Sequence, residues 1–128
     1  MLLQLNFSAD IPIYQQIRNQ IVIGIASGDL RVGDRLPTIR ALADESGVNV
    51  MTVNKAYAML KQEGYISADR RGGTVVAGDG GRRELSQQSE AMLSVIISEA
   101  KLAGMTESEF LQLCNRLFQG NEPHAAKR

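Results

Sequence analysis

Thr38-Ile39-Arg40-Ala41-Leu42-Ala43-Asp44-Glu45-Ser46-Gly47-Val48-Asn49-Val50-Met51-Thr52-Val53-Asn54-Lys55-Ala56-Tyr57 is the stretch that decides the fold. Thr38 suits a helix cap, and Leu42 and Ala43 are spaced to face inward from the short helix that follows. Ala43 is small where a second helix must cross. Gly47, four residues on, supplies the positive φ that a tight turn requires. Asn49 is again a capping residue. The second helix it opens runs over residues 49–62 and stops at Gly64. At about 100° per residue, Val53, Ala56, Tyr57 and Leu60 gather on one side of it, and Met51, Asn54, Lys55 and Ala58 on the other.

Working outward, Ile13, Ile17, Ile21 and Ile25 recur every fourth residue and predict an earlier helix ending at Gly28. Asp10 ahead of Pro12 suits its N-cap and first turn. Leu2, Leu3, Leu5 and Phe7 are apolar, and read as a short strand or as cover over a neighbour. Gly28, Gly33 and Pro37 punctuate the connection between the first two helices. On the other side, residues 65–67 and 74–77 are β-prone runs flanking Asp69-Arg70-Arg71-Gly72-Gly73, a hairpin with a basic, glycine-rich tip. Helix, glycine turn, helix, hairpin is the order of a winged helix-turn-helix. Its second helix can enter a major groove about 12 Å wide while the first braces on the backbone. A helical hairpin within some other small α protein is the alternative.

The chain has 128 residues, with 14 Lys+Arg against 14 Asp+Glu, so its formal net charge is zero. That excludes a polycationic DNA coater but not a basic face balanced elsewhere. Residues 1–78 carry 8 basic and 7 acidic groups and residues 79–128 carry 6 and 7, so charge alone names no partner. The distribution says more. Residues 46–62 hold no acidic side chain but include Asn49, Thr52, Asn54, Lys55 and Lys61. An asparagine can hydrogen-bond adenine twice, a pairing worth ~1–3 kcal/mol of discrimination. Arg70 and Arg71 at a hairpin tip suit a narrow minor groove or flanking phosphates. Each of these cations, taken alone, reads equally well as a solvated surface charge.

Catalysis and metal binding find little support. Cys114 lies on an apolar helical face and His124 in a polar tail, too few ligands for a zinc site. Gly78-Asp79-Gly80-Gly81 lacks the Lys and Ser/Thr of a phosphate loop. No cofactor, metal or enzymatic activity is expected. The N-terminus has no signal-peptide pattern, no apolar run is long enough to span a bilayer, and the single cysteine points to no disulfide. A cytoplasmic protein without membrane association is therefore expected.

Residues 79–84 read as a linker between a winged-helix domain, residues 1–78, and a helical element, residues 85–120; residues 121–128 read as a loose tail. In the helical element, Leu85, Met92, Leu93, Ile96, Ile97 and Ala100 share one side of a first helix. Thr106-Glu107-Ser108-Glu109 is a capping box opening a second, with Met105 and Phe110 placed as a hydrophobic staple. Phe110, Leu113, Cys114 and Leu117 form its apolar face. Two such helices enclose no core by themselves. Leu93, Ile96, Ile97, Phe110, Leu113 and Leu117 are therefore expected to bury in a homodimer, which would pair two reading heads on a palindromic site. Docking back onto the winged helix in a monomer is the alternative. The fold class expected is mainly α with a small β-hairpin: a winged helix-turn-helix followed by a two-helix dimerisation element.

Residues 12–77 also resemble a known family. Pro12-Ile13-Tyr14-Gln15-Gln16-Ile17, then Gly33-Asp34-Arg35-Leu36-Pro37-Thr38-Ile39-Arg40-Ala41-Leu42-Ala43, are similar to the GntR family of bacterial transcription regulators. So are the run from Val48 through Tyr57, Leu60, Glu63-Gly64 and Gly73-Thr74-Val75-Val76. Asn54-Lys55-Ala56-Tyr57 and the short C-terminal part resemble the YtrA subfamily most. The resemblance implies that Arg40 reaches the operator, that Asn49, Thr52 and Asn54 occupy contact positions on the recognition helix, and that Gly72 and Gly73 form the wing tip. It also implies a repressor of a transporter-type operon and of its own gene, acting on double-stranded DNA. The chain departs from the family pattern at Val50 and Asn54, where many relatives carry arginines, and at Arg71-Gly72-Gly73, where the wing usually reads Gly-x-Gly. A regulator gated by an effector at the dimer interface, and a winged helix used for protein interaction without an operator, are the other readings.

Overall fold

The computed structural model describes residues 3–78 and 84–120. The isoleucine stripe forms α1 (Ile13–Ser27), with Ile17 and Ile21 fully buried and Gly28 closing it in the left-handed conformation. Its start differs from the sequence expectation. Pro12, not Asp10, occupies the cap position, and no side chain caps the helix; the Pro12 carbonyl instead accepts from the Gln15 and Gln16 N–H groups at 3.0 and 3.1 Å. With Pro12 holding extended ψ at the entry, Asp10 lies too far upstream to serve as the cap, whose side chain must reach the second or third helical N–H.

The apolar arm ahead of α1 forms no strand. It lies along α1, and two glutamine side chains take the place of a neighbouring strand. The Gln4 N–H donates to Gln20 Oε1 (2.9 Å) and the Gln4 carbonyl accepts from Gln20 Nε2 (2.5 Å). Asn6 is matched in the same way by Gln16, at 2.8 and 2.9 Å. Leu3 and Leu5 pack on the core beneath.

After α1 come β1 (Arg35–Leu36), α2 (Ile39–Ser46), α3 (Val50–Glu63), β2 (Ile66–Ala68) and β3 (Thr74–Val76). Both helices of the decisive stretch are capped as their residue types dictate. The Thr38 side chain accepts from the Ala41 N–H, and Asn49 from the Met51 N–H. Gly47, at φ 68°, sends its own N–H to the Ala43 carbonyl, so the chain turns sharply between α2 and α3. All four apolar residues grouped on α3 (Val53, Ala56, Tyr57 and Leu60) are buried, against Leu42 and Ala43 of α2, Ile17 and Ile21 of α1, and Leu36, Ile66 and Val76 of the sheet. Full burial of a large aliphatic side chain contributes ~1.5–3 kcal/mol, which makes this one cluster the main source of the unit's stability.

The hairpin carries a third strand that the sequence did not signal. The sheet is antiparallel in the order β1-β3-β2, with Arg35 opposite Val75 and Ile66 opposite Val76. Two residues of strand show no periodicity to read. β1 places Leu36 in the core and leaves Arg35 outside.

The chain divides into two compact units, one up to Gly81 and one from Arg82. The expected linker lies almost wholly outside the described residues, as does the tail at residues 121–128. In the second unit, α4 (Gln87–Leu102) starts at the Ser86 cap, and α5 (Glu107–Phe118) starts with both halves of the Thr106/Glu109 capping box made. Neither helix buries a residue. Leu93, Ile96 and Leu117 are exposed, while Ile97, Phe110, Leu113 and Cys114 are half-buried. Among the described residues, no helix is long and apolar enough to cross a membrane, and no cluster of His, Cys, Asp and Glu has the makings of a metal site.

Candidate nucleic-acid interface

α3 has its apolar side in the core, so the composition of its outer side sets what it can bind. Asn54 and Lys55 are exposed and Thr52 is half-buried. Asn49 differs from them. Its Oδ1 accepts from the Met51 N–H at 2.7 Å, so the carbonyl end of the amide is turned back onto the helix and the Nδ2 end takes no part in the cap. Asn54, by contrast, is exposed and caps no helix. Lys55 is held as well: its Nζ sits 4.1 Å from the centroid of the Tyr14 ring on α1, a cation–π contact. Tyr14 thus holds Lys55 from another helix, a contact that sequence spacing alone did not reveal.

Arg40 is the second residue of α2 and is exposed. Among the described residues, no carboxylate lies within ion-pair distance of Arg40 or Arg70. The position of α2 is fixed from below by Tyr57, whose hydroxyl donates to the Pro37 carbonyl at 2.7 Å, one residue before the Thr38 cap. Burial pushes the Tyr57 phenol up to about 12, with the Glu45 carboxylate adding to the effect, so this donor keeps its proton.

The wing tip is a closed turn. The Asp69 N–H donates to the Gly73 carbonyl (2.9 Å) and the Gly72 N–H to the Asp69 carbonyl (3.0 Å), with both glycines at positive φ (97° and 82°). Arg70 and Arg71 lie between, and Arg71 is 83% exposed, with its Nε 3.5 Å from Asp69 Oδ2. Arg35 braces the turn from β1: its Nη1 donates to the Gly72 carbonyl at 2.6 Å and its Nη2 to Asp69 Oδ2 at 2.5 Å. A Cβ on Gly73 would sit 2.6 Å from Arg35 Nη1. Residue separations of 34 and 37 in the chain hid this brace from sequence reading.

The outer side of α3 carries no acidic side chain before Glu63, and the wing tip carries two arginines. The sequence model described as "Bacterial regulatory proteins, gntR family" matches residues 13–76. The chain belongs to the GntR family. It is a YtrA-like, DNA-binding transcription regulator with a winged helix-turn-helix, in a family of regulators rather than enzymes. It is 37% identical over 76 residues to the HTH-type transcriptional repressor YtrA of Bacillus subtilis, covering 59% of this chain and 58% of that protein. It is 36% identical over 75 residues to the HTH-type transcriptional regulator Rv1152 of Mycobacterium tuberculosis, covering 59% of this chain and 62% of Rv1152. The chain thus spans less than two thirds of either relative. Its likeness to the uncharacterized HTH-type transcriptional regulator YhcF of Bacillus subtilis runs further: 29% identity over 119 residues, 89% of this chain and 96% of YhcF.

Solved structures similar to the chain include one of the same family. YtrA from Sulfolobus acidocaldarius, a GntR-family transcription factor, is 39% identical, with a TM-score of 0.57 over 93% of this chain and 98% of that one. A transcriptional antiterminator from Listeria monocytogenes superposes with a TM-score of 0.82 at 26% identity, over 91% and 90% of the two chains. The DNA-binding domain of AraR, solved in complex with operator ORX1, matches 59% of this chain and 96% of its own at 29% identity and a TM-score of 0.53.

Proposed function

We propose that this GntR-family protein is a homodimeric, sequence-specific repressor, acting in the cytoplasm on a palindromic operator in its own promoter and in that of a transporter-type operon. One observation carries the reading: the face of α3 opposite the core presents Asn54 and Lys55 with no acidic side chain on that helix before Glu63, and basic groups of α2 and the wing belong to the same compact unit. In this reading α3 lies in the major groove, where Asn54 pairs with a base and Thr52 and the free amide end of Asn49 bond the backbone or a base edge. Arg40 anchors α2 and reads a base. Lys55, held on Tyr14, neutralises a phosphate. Arg70 and Arg71, carried on the Gly72-Gly73 turn, enter the minor groove or grip its phosphates. The similar AraR domain, solved in complex with an operator, supports operator binding by this unit.

The apolar residues of α4 and α5 supply the dimer. Leu93, Ile96, Ile97, Phe110, Leu113 and Leu117 are exposed or half-buried within the chain, and a second copy would remove them from water. Mobility-shift titration on the gene's own promoter, repeated at rising salt, tests the whole. Tight binding that weakens with salt is expected, and Arg40→Ala should lower affinity for that promoter at least tenfold with unchanged thermal stability. Equal affinity for random DNA would refute sequence-specific regulation.

A further inference from the structure

We infer that Val50 and Met51 are specificity determinants, packing against the C5-methyl groups of thymines in the major groove, and that each operator half-site carries thymine where the first turn of α3 docks. The inference rests on the proposed docking of α3. Val50 and Met51 are consecutive, open the helix directly after the Asn49 cap, and are 39% and 71% exposed, although the core already holds Val53, Ala56, Tyr57 and Leu60 from the same helix. The fold therefore has no use for them as interior residues.

Their neighbours narrow the possible occupant. Asn49, Thr52 and Asn54 surround the pair with hydrogen-bonding groups, and the first turn of α3 holds no acidic residue. Two side chains framed in this way make too small a patch for a protein partner, whose interface would cover ~800 Å² on each side. In the major groove, by contrast, the apolar feature available to a side chain is the thymine methyl, and aliphatic contact with it is one way proteins tell thymine from cytosine. Met51 adds a flexible, polarizable thioether that adapts to a methyl whose position varies from step to step. Val50 is rigid about χ1 and fixes its contact more tightly.

The test uses the full-length protein and duplexes it selects from a random library. Each thymine in the tightest duplex is replaced singly by deoxyuridine, which removes the methyl and leaves the base pair. One or two positions per half-site should lose about fourfold in affinity each, the value of one buried methyl-sized group. Met51→Ala or Val50→Ala should cost a similar factor on the thymine duplex and almost nothing further on the duplex lacking the matching methyl. Both residues are exposed, so the variants keep the wild-type unfolding temperature. Losses under twofold at every thymine, or variant and deoxyuridine effects that multiply independently at every position, would overturn the inference. If no duplex is enriched over random DNA, the proposed function falls, and this inference with it.

Discussion

Gly73→Ala tests the wing through its brace. Two costs follow from the geometry. Alanine at φ 82° is in the left-handed region, which disfavours L side chains by ~1–2 kcal/mol. The new Cβ would also meet Arg35 Nη1 at 2.6 Å, the far end of a flexible side chain, so relief comes by the guanidinium leaving the Gly72 carbonyl and Asp69 rather than by strain in the backbone. The Arg35 side chain is 49% exposed, so solvent screens these bonds and their loss is put at ~1 kcal/mol. Gly72→Ala provides the control: its φ is 97° and nothing lies within 4 Å of its Cβ, so it carries only the first cost. The expected difference between the two variants is therefore ~1 kcal/mol, or ~4–8 °C in the unfolding temperature of a domain this size. Thermal unfolding by circular dichroism of the full chain reads it directly. In an Arg35→Ala background the difference should vanish, because nothing remains for the Cβ to displace. Equal losses for Gly72→Ala and Gly73→Ala, or a difference that survives Arg35→Ala, would refute the brace.

Three further outcomes follow from the geometry. Because the Tyr57 phenol is raised from 10 to about 12 in the folded chain, its stabilisation is complete below pH 10 and is lost as pH climbs through 12, by on the order of 2–3 kcal/mol. Denaturant titrations should show that decline, and Tyr57→Phe should lack this component while being ~1–2 kcal/mol less stable at neutral pH, its Pro37 carbonyl having lost a donor. Asn49→Ala should cost ~1 kcal/mol through loss of the cap, whereas Asn49→Ser keeps the stability and leaves operator affinity lowered, isolating the amide's contact with DNA. Ile96→Glu should convert a dimer to a monomer in sedimentation velocity and weaken operator binding, with the winged-helix unit still folded.

Much of the DNA-binding unit was legible because its signals are local. Thr38, Asn49 and Thr106 are residue types that cap helices by bonding backbone N–H groups up to three residues away, and they do so here. The four-residue repeat of α1 and the 100° grouping on α3 named their buried faces correctly, since a helix of that composition has one side to bury. What stayed hidden depends on distant partners. β1 is strand only because β3 lies beside it. The role of Arg35 arises from residues of the wing, and the support of Lys55 from Tyr14 on another helix. Asp10 misled because its type fits a cap while Pro12 displaces the helix start beyond its reach. Asn49 caps α3 as its residue type dictates, which commits the carbonyl end of its amide to its own helix.

The pairing of β1 with β3 has a consequence for how the unit is held together. Arg35 opposite Val75 closes a loop of chain that contains α2, the glycine turn, α3 and the first strand of the hairpin. The wing is therefore the clasp of that loop. A single proteolytic nick at its exposed tip would open the ring and free β3 to leave with the downstream chain, loosening Arg40 and α3 together although neither touches the cut.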